Sequence, residues 1–405
     1  SFLCNGCLLF VRRVEIMKYV LLVFLSFGNF LFSQIFIPNS PELDVKSYIL
    51  YEPNTGKIIA EYNSDELIEP ASMTKIMTSY VLAEQIETNL LDLNEEVKIS
   101  ERAWKVGGSS NYLEPRDKVN VDQLIKGMIV ASGNDAAVAL AEKAGGTEDG
   151  FVDIMNAYAK SMNLSNTNYV NSTGMPDPNH YTSAKDLSIL TANLIKNYPE
   201  HYSLYKEKYF TCETCRWGKR QKSTNILLWQ DDSVDGVKTG FTESAGWCLV
   251  SSAERGSMRL ISVIAGADDE TSRIQATRRL LEYGFKFFVT QKILDANEEY
   301  KEVTVWGGQD NTLALGVADN VSITIPRTSF KDLKINYTFK NNIQAPISLG
   351  QKIGTVDILS NDQIILSKDL VALKDIQAKG FFGRIWSKFV LWIMSLFGFG
   401  DNESS

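Results

Sequence analysis

The sequence predicts an α+β fold: an antiparallel sheet flanked by helices, then a small all-β, sandwich-like domain, then a C-terminal amphipathic helix. Three observations predict it. Apolar, β-branched runs near the start and again near residue 250 enclose segments of helical periodicity. After about residue 292 the pattern shortens to alternating runs bounded by turn residues. From Phe381 onward, bulky apolar residues fill one wide helical side and a few cations and serines the other. At 405 residues the chain exceeds what one core usually serves, so two or three domains are expected.

Taken in order, residues 1–33 look like a leader. Met17-Lys18 precedes the apolar run YVLLVFLSFGNFLFS, which closes on the small Ser33. A charge, an apolar stretch and a small residue at the cut are the parts of a secretory signal peptide. A retained span is the alternative, but Asn29 interrupts the run and it is short. Met17 is the expected true start, with residues 1–16 an upstream extension. The mixed domain is expected over residues 34–291. DVKSYILYEPNTGKIIAEYN has strand-forming residues on both sides of Pro53-Asn54-Thr55-Gly56, a hairpin signal. EPASMTKIMTSYVLAEQIE places Pro70 in a first helical turn, where proline is tolerated. Helices follow in VDQLIKGMIVA, DAAVALAEKA and SRIQATRRLLEYGFKFF. Strands are expected in GWCLVSSAERGSMRLISVIAGA, turning at Glu254-Arg255-Gly256.

The β-rich domain is expected over residues 292–378, from VTVWGG, VSITIPR, LKINYTF, KIGTVDIL and QIILS. Residues 379–405 then form the amphipathic helix and tail. Arg384, Ser387, Lys388 and Ser395 gather near one face, opposite Phe382, Trp386, Phe389, Trp392 and Leu396. That composition suits a helix lying in a membrane interface. A packed core helix is one alternative. A span is another, but the uncharged stretch is short of the ~20 residues a span needs.

The net charge of -8 argues against nucleic acid, which rewards a basic surface. Of five cysteines, Cys4 and Cys7 leave with the leader, and Cys248 sits in an apolar run as a small buried residue. Cys212 and Cys215 form a CETC cluster. Zinc would need four ligands, and only His180 and His201 remain, in no zinc spacing. A local disulfide or two free thiols is expected, with no metal and no cofactor.

Three short motifs carry the chemistry. Ser72-Met73-Thr74-Lys75 is S-x-x-K, Ser132-Gly133-Asn134 is S-x-N, and Lys238-Thr239-Gly240 is K-T-G. Alone each is weak; together, in this order and at a helix start, a helix end and before a strand, they form a set. A serine hydroxyl needs a base within hydrogen-bond reach to act as a nucleophile. Positions 72 and 75 lie one turn apart, so their side chains share a face. Lysine serves as base only with a lowered pKa, which burial and a second cation such as Lys238 both produce. Backbone N–H groups of the first turn stand near the developing oxyanion. A Ser-His-Asp triad is disfavoured: both histidines lie outside any nucleophile-elbow setting and are expected as surface or loop residues.

The motif triple is the known signature of β-lactamases and penicillin-binding proteins. Over nearly the whole mature chain the sequence resembles the low-molecular-mass penicillin-binding proteins that are serine-type D-Ala-D-Ala carboxypeptidases. The resemblance covers EPASMTKIMTSYVL, IVASGNDAAVALAE, VDGVKTGFTESAGWCLVSSAERGSMRLISVIAGA, the β-rich domain and the tail. It implies a β-lactamase/transpeptidase-like catalytic domain. It implies Ser72 as acyl-ester nucleophile, Lys75 as proton acceptor, Ser132 and Asn134 as further catalytic residues, and Lys238 as substrate-binding. Thr239, Gly240 and Phe241 join it, with the N–H groups of Ser72 and Phe241 as oxyanion hole. Arg273 matches a family arginine near the substrate carboxylate. A second such arginine corresponds to Thr224, and the CETC stretch is longer than the family pattern. The implied substrate is a peptidoglycan stem peptide ending in D-Ala-D-Ala, with β-lactams as covalent inhibitors. The implied location is periplasmic, at the outer leaflet of the inner membrane through the C-terminal helix. A DD-endopeptidase that cuts cross-links is the nearest alternative. A class A β-lactamase would want S-D-N and an acidic deacylating residue, and a non-catalytic wall-binding scaffold has no need of the full set.

Overall fold

The computed structural model describes residues 38–380, other than 217 and 341, and residue 390. The leader expected over residues 1–33 and nearly all of the helix expected from Phe381 lie outside the described residues. Among the described residues, no helix is long and apolar enough to cross a membrane.

The early and late strands meet in one antiparallel sheet. β1 (Ser47–Glu52) and β2 (Lys57–Tyr62) form the expected hairpin. β7 (Val234–Thr242), β8 (Gly246–Arg255) and β9 (Met258–Ala267) complete the order β2-β1-β9-β8-β7. Successive side chains on a strand point to opposite faces, and both faces here are covered. Ile49, Ile261 and Val263 join the helical core on one side. Leu50, Leu260 and Ile264 join Leu280 and Leu281 on the other. Two covered faces explain why these strands read as nearly continuous apolar runs rather than as alternation.

The helices between are α1 (Lys75–Glu87), α2 (Val121–Ala131), α3 (Asn134–Gly145), α4 (Glu148–Ser161) and α5 (Ala184–Asn197), and α6 (Glu270–Phe287) backs the sheet. Side-chain caps set four of their starts: Asn120 accepts from Gln123 N, Thr147 from Gly150 N, Ser183 from Asp186 N and Asp269 from Ser272 N. α1 departs from expectation. The segment after Pro70 is first a 3-10 turn, Ala71–Thr74, and the α-helix begins only at Lys75. The cause is backbone: Ala71 has φ +46°, a left-handed conformation no helix accommodates. Two short ladders lie outside the main sheet: β3 (Glu96–Lys98) with β4 (Lys118–Asn120), and β5 (Tyr209–Phe210) with β6 (Gln221–Lys222).

β10 (Phe288–Leu294) follows α6 directly and pairs with β13 (Val321–Pro326). The remaining strands are β11 (Lys301–Trp306), β12 (Thr312–Gly316), β14 (Leu333–Phe339), β15 (Ile343–Gln344), β16 (Lys352–Ser360) and β17 (Gln363–Ala372). They form a six-stranded sheet in the order β14-β16-β17-β12-β11-β15. This all-β part has its own apolar clusters around Leu313, Leu315 and Leu370, and around Ile323, Ile325 and Ile358. Polar contacts tie it to the first hairpin: Thr55 meets Thr324 at 2.7 Å, and Thr324 meets Thr290 at 2.8 Å. The buried Glu52 carboxylate accepts from Thr55 and Thr324.

Candidate active site

The topology makes β7 the edge strand of the main sheet, and the 3-10 turn carrying Ser72 packs against it. That approach needs a residue without a side chain. A Cβ on Gly240 would stand 3.1 Å from Pro70 O and 3.2 Å from Ala71 Cβ. Gly174, at φ +89°, closes the other side of the turn, and a Cβ there would stand 1.7 Å from Ala71 O.

Lys75 opens α1 and is 1% exposed. Its Nζ donates to Ser72 Oγ at 3.0 Å, to Asn134 Oδ1 at 2.6 Å and to Thr173 O at 2.7 Å. Burial, then the cation of Lys238, holds its pKa well below the ordinary lysine value against an opposing pull from Asp135. Ser132 caps α2 in the left-handed region at φ +61°. Its Oγ accepts from Lys238 Nζ at 2.9 Å, and Lys238 also donates to Thr239 O at 3.1 Å. Burial, with Arg273 second, lowers the Lys238 pKa to about 7. Asn134, the first residue of α3, donates from Nδ2 to Gly107 O at 2.6 Å. The S-x-N motif thus bridges two helices by one sharp corner, and the non-glycine φ at Ser132 places backbone strain at the candidate site.

These groups surround a cleft of 490 Å³ whose lining includes Ser72, Ser132, Asn134, Thr224, Thr239, Gly240, Phe241 and Arg273. All three motifs converge on it. Lys75 and Lys238 stand behind the lining as buried partners. Phe241, about half exposed, packs its ring 4.4 Å from that of Trp247. Arg273 is 3% exposed and lies 5.1 Å over Trp247. It donates to Glu270 at 3.0 Å and Cys248 O at 3.4 Å, while its Nε has no partner. Thr224 accepts a 2.7 Å bond from Thr239 Oγ1, so the position where an arginine is usual in the resembling family instead braces the K-T-G threonine. Among the described residues no group of His, Cys, Asp and Glu side chains is placed to hold a metal ion.

Sequence reasoning passed over several residues that build the site. Thr173 supplies the carbonyl that fixes Lys75. The Asp135 carboxylate, 2% exposed, accepts from Asn111 N, Leu113 N, Ser110 Oγ and Ala136 N, and so pins the loop whose Gly108 and Ser109 line the cleft. Its place directly after S-G-N was the available signal. Of the two expectations for His180, surface or loop, the loop holds, but the side chain is buried, 2% exposed. Its Nδ1 accepts from Val170 N at 3.0 Å, which leaves Nε2 as the donor to Thr74 Oγ1 at 2.7 Å. His201 is half-buried and meets Ser79 Oγ at 2.7 Å. Cys212 and Cys215 are joined in a disulfide, and Cys248 is a buried free thiol.

Comparison with known proteins identifies the family of the chain. Residues 34–269 match the family described as D-alanyl-D-alanine carboxypeptidase, and residues 288–378 match the penicillin-binding protein 5 C-terminal domain. The chain is 39% identical over 370 residues to the D-alanyl-D-alanine carboxypeptidase DacC of Escherichia coli, covering 88% of this chain and 92% of the relative. It is 40% identical to DacA of the same organism, covering 89% and 91%. Among solved structures it is similar to penicillin binding protein 5 of Haemophilus influenzae, with a TM-score of 0.79, 38% identity and coverage of 84% and 99%. Similarity to penicillin-binding protein D2 of Listeria monocytogenes in its ampicillin-bound form has a TM-score of 0.56 at 30% identity, covering 61% and 99%.

Proposed function

The chain belongs to the D-alanyl-D-alanine carboxypeptidase family and is a serine-type, penicillin-binding DD-carboxypeptidase, and from that premise we propose how its residues divide the work. Ser72 is the nucleophile and Lys75 its base. The observation that carries this is Lys75 Nζ at 3.0 Å from Ser72 Oγ, in surroundings that favour the neutral amine. Neutral Lys75 takes the Ser72 hydroxyl proton as Oγ attacks the carbonyl of the penultimate D-alanine. The N–H groups of Ser72 and Phe241 hold the oxyanion. The C–N bond then breaks, the leaving D-alanine amine takes the Ser132 Oγ proton, Lys238 Nζ restores it, and the proton gained by Lys75 passes to Lys238 through solvent, which leaves Lys75 neutral for deacylation. The acyl-enzyme ester is opened by water, whose proton goes to Lys75 and then back to Ser72. Asn134 orients Lys75 and the substrate amide. As an edge strand, β7 offers backbone groups to an extended peptide. Arg273, whose side chain lines the cleft, binds the terminal carboxylate through its guanidinium.

The physiological substrate in this reading is the pentapeptide stem of peptidoglycan. The apolar leader and amphipathic tail of the sequence support export to the periplasm and attachment to the outer leaflet of the inner membrane. Labelling with a fluorescent penicillin, followed by peptide mapping, tests the assignment. The adduct is expected on Ser72 and absent from Ser72→Ala, which should also release no D-alanine from a D-Ala-D-Ala peptide. Labelling that persists in the variant sinks it.

A further inference from the structure

Charge is unevenly placed in this acidic chain. Residues 206–222 carry Lys206, Lys208, Arg216, Lys219, Arg220 and Lys222 against only Glu207 and Glu213. This stretch contains the β5–β6 hairpin, and β6 leads directly into Ser223 and Thr224 of the cleft wall. The hairpin is firmly seated. Gln221 donates to Ser110 O at 2.9 Å and accepts from Asn111 Nδ2 at 2.9 Å. Between the disulfide-bonded Cys212 and Cys215, Thr214 Oγ1 donates to Gln123 Oε1 at 2.8 Å.

Four of these cations lie over aromatic rings rather than against carboxylates. Arg220 stands 3.7 Å over Tyr209, Lys222 4.4 Å and Lys208 6.0 Å over Trp229, and Lys219 5.7 Å over Tyr112. None of the four has an ion-pair partner among the described residues, so the rings hold the cations in place without neutralising them. Their positions form a path. Lys222 lines the cleft, and Lys219 lines a second groove of 390 Å³ with Trp104, Ser110, Tyr112, Leu113 and Glu114. The two grooves share the loop that Asp135 pins.

We propose that the β5–β6 hairpin and this second groove form a binding surface for the polymeric wall. The occupant is a carboxylate-bearing stem peptide of the peptidoglycan strand, outside the D-Ala-D-Ala end that enters the cleft. Charge complementarity favours it: unneutralised, ring-held cations suit free carboxylates. Continuity favours it too, because the surface begins at the cleft itself and not on a remote face. This rests on the reading that the wall is the substrate. It adds that the enzyme grips polymer through contacts a small peptide does not make.

The test uses the full chain and the triple variant K208Q/K219Q/R220Q, which spares every residue of the cleft lining. Purified, pentapeptide-rich sacculi are sedimented with each protein at low and high salt. The wild type is expected to bind in a salt-sensitive way, and the variant about tenfold more weakly at low salt, as three exposed charge contacts warrant. D-Alanine release from sacculi should fall by a similar factor, while release from a soluble tripeptide stays unchanged. The converse variant E207Q/E213Q should bind sacculi more tightly, which guards against misfolding as the cause. Equal binding by wild type and the triple variant overturns the proposal. So does an effect confined to phosphatidylglycerol vesicles, which would make the hairpin a membrane contact. Penicillin labelling is read alongside. Its failure in the wild type would remove the Ser72 mechanism, whereas sedimentation tests the hairpin with or without acylation.

Discussion

Acid should unfasten the nucleophile turn through His180. The imidazole is 2% exposed, and burial lowers its pKa to about 4. Its neutral form is required by geometry, since Nδ1 accepts from Val170 N and Nε2–H donates to Thr74, within the 3-10 turn that holds Ser72. An unfolded histidine titrates near 6.5. Between about pH 6.5 and 4 the unfolded chain therefore binds more protons than the native one, and stability falls as pH falls. From these values His180 alone removes about 2 kcal/mol by pH 5 and about 3 kcal/mol below pH 4. Urea unfolding at a series of pH values, on the wild type and His180→Asn, isolates the effect. The variant should be less stable at pH 7.5, because Thr74 and Val170 lose a partner, and its stability should decline less steeply below pH 6.5. Penicillin acylation of the wild type should be lost over the same acid window. Parallel stability curves for the two proteins would refute the reasoning, whatever their offset.

Three further outcomes follow from the site and the tail. Lys75→Gln should slow penicillin acylation by a factor of about 10² to 10⁴, the usual worth of a positioned base, with penicillin binding before acylation retained in stopped-flow traces. Arg273→Gln removes the cation that adds to burial in lowering Lys238, so the alkaline limb of acylation that Lys238 controls should move to higher pH. Removing residues after Gly380 should shift the mature protein from the membrane fraction to the soluble fraction without changing its rate on a soluble tripeptide; a truncated form that still pellets with membranes would place the anchor elsewhere.

Much of the fold was legible because its signals are local. The β1–β2 hairpin announces itself through Pro53 to Gly56, and α2, α3 and α6 through apolar residues at helical spacing. The β-rich part was legible from alternation, although β10, β12 and β15 passed unnoticed. What failed was also local in appearance and tertiary in cause. Pro70 and the apolar residues after it read as one helix. The chain instead makes a 3-10 turn, because Ala71 must take a left-handed backbone for Ser72 to fit between β7 and Gly174. Helix propensity is a weak prior beside such packing.

The site shows the same division more sharply. Residue types and order put forward Ser72, Lys75, Ser132, Asn134 and Lys238 as candidates, and the fold gathers them at one cleft. Their electrostatics could not be read so directly. Two lysines, one beside Ser72 and one beside Ser132, would ordinarily both be cationic and useless as bases. Burial of both, with Arg273 behind Lys238, changes that by disfavouring charge on each. The placement of these groups in turn depends on residues with no motif at all: the Thr173 carbonyl that accepts from Lys75, the Asp135 carboxylate that fixes the loop over the cleft, and His180 under Thr74. Each is distant in sequence from the partner it serves, or, like Asp135, next to a motif that takes the attention. Such residues have no signature of their own, because any side chain of the right shape and polarity at that point in space would serve. The candidate types are therefore legible from one chain, while the residues that position Lys75 and the cleft loop become visible only once the fold brings them together.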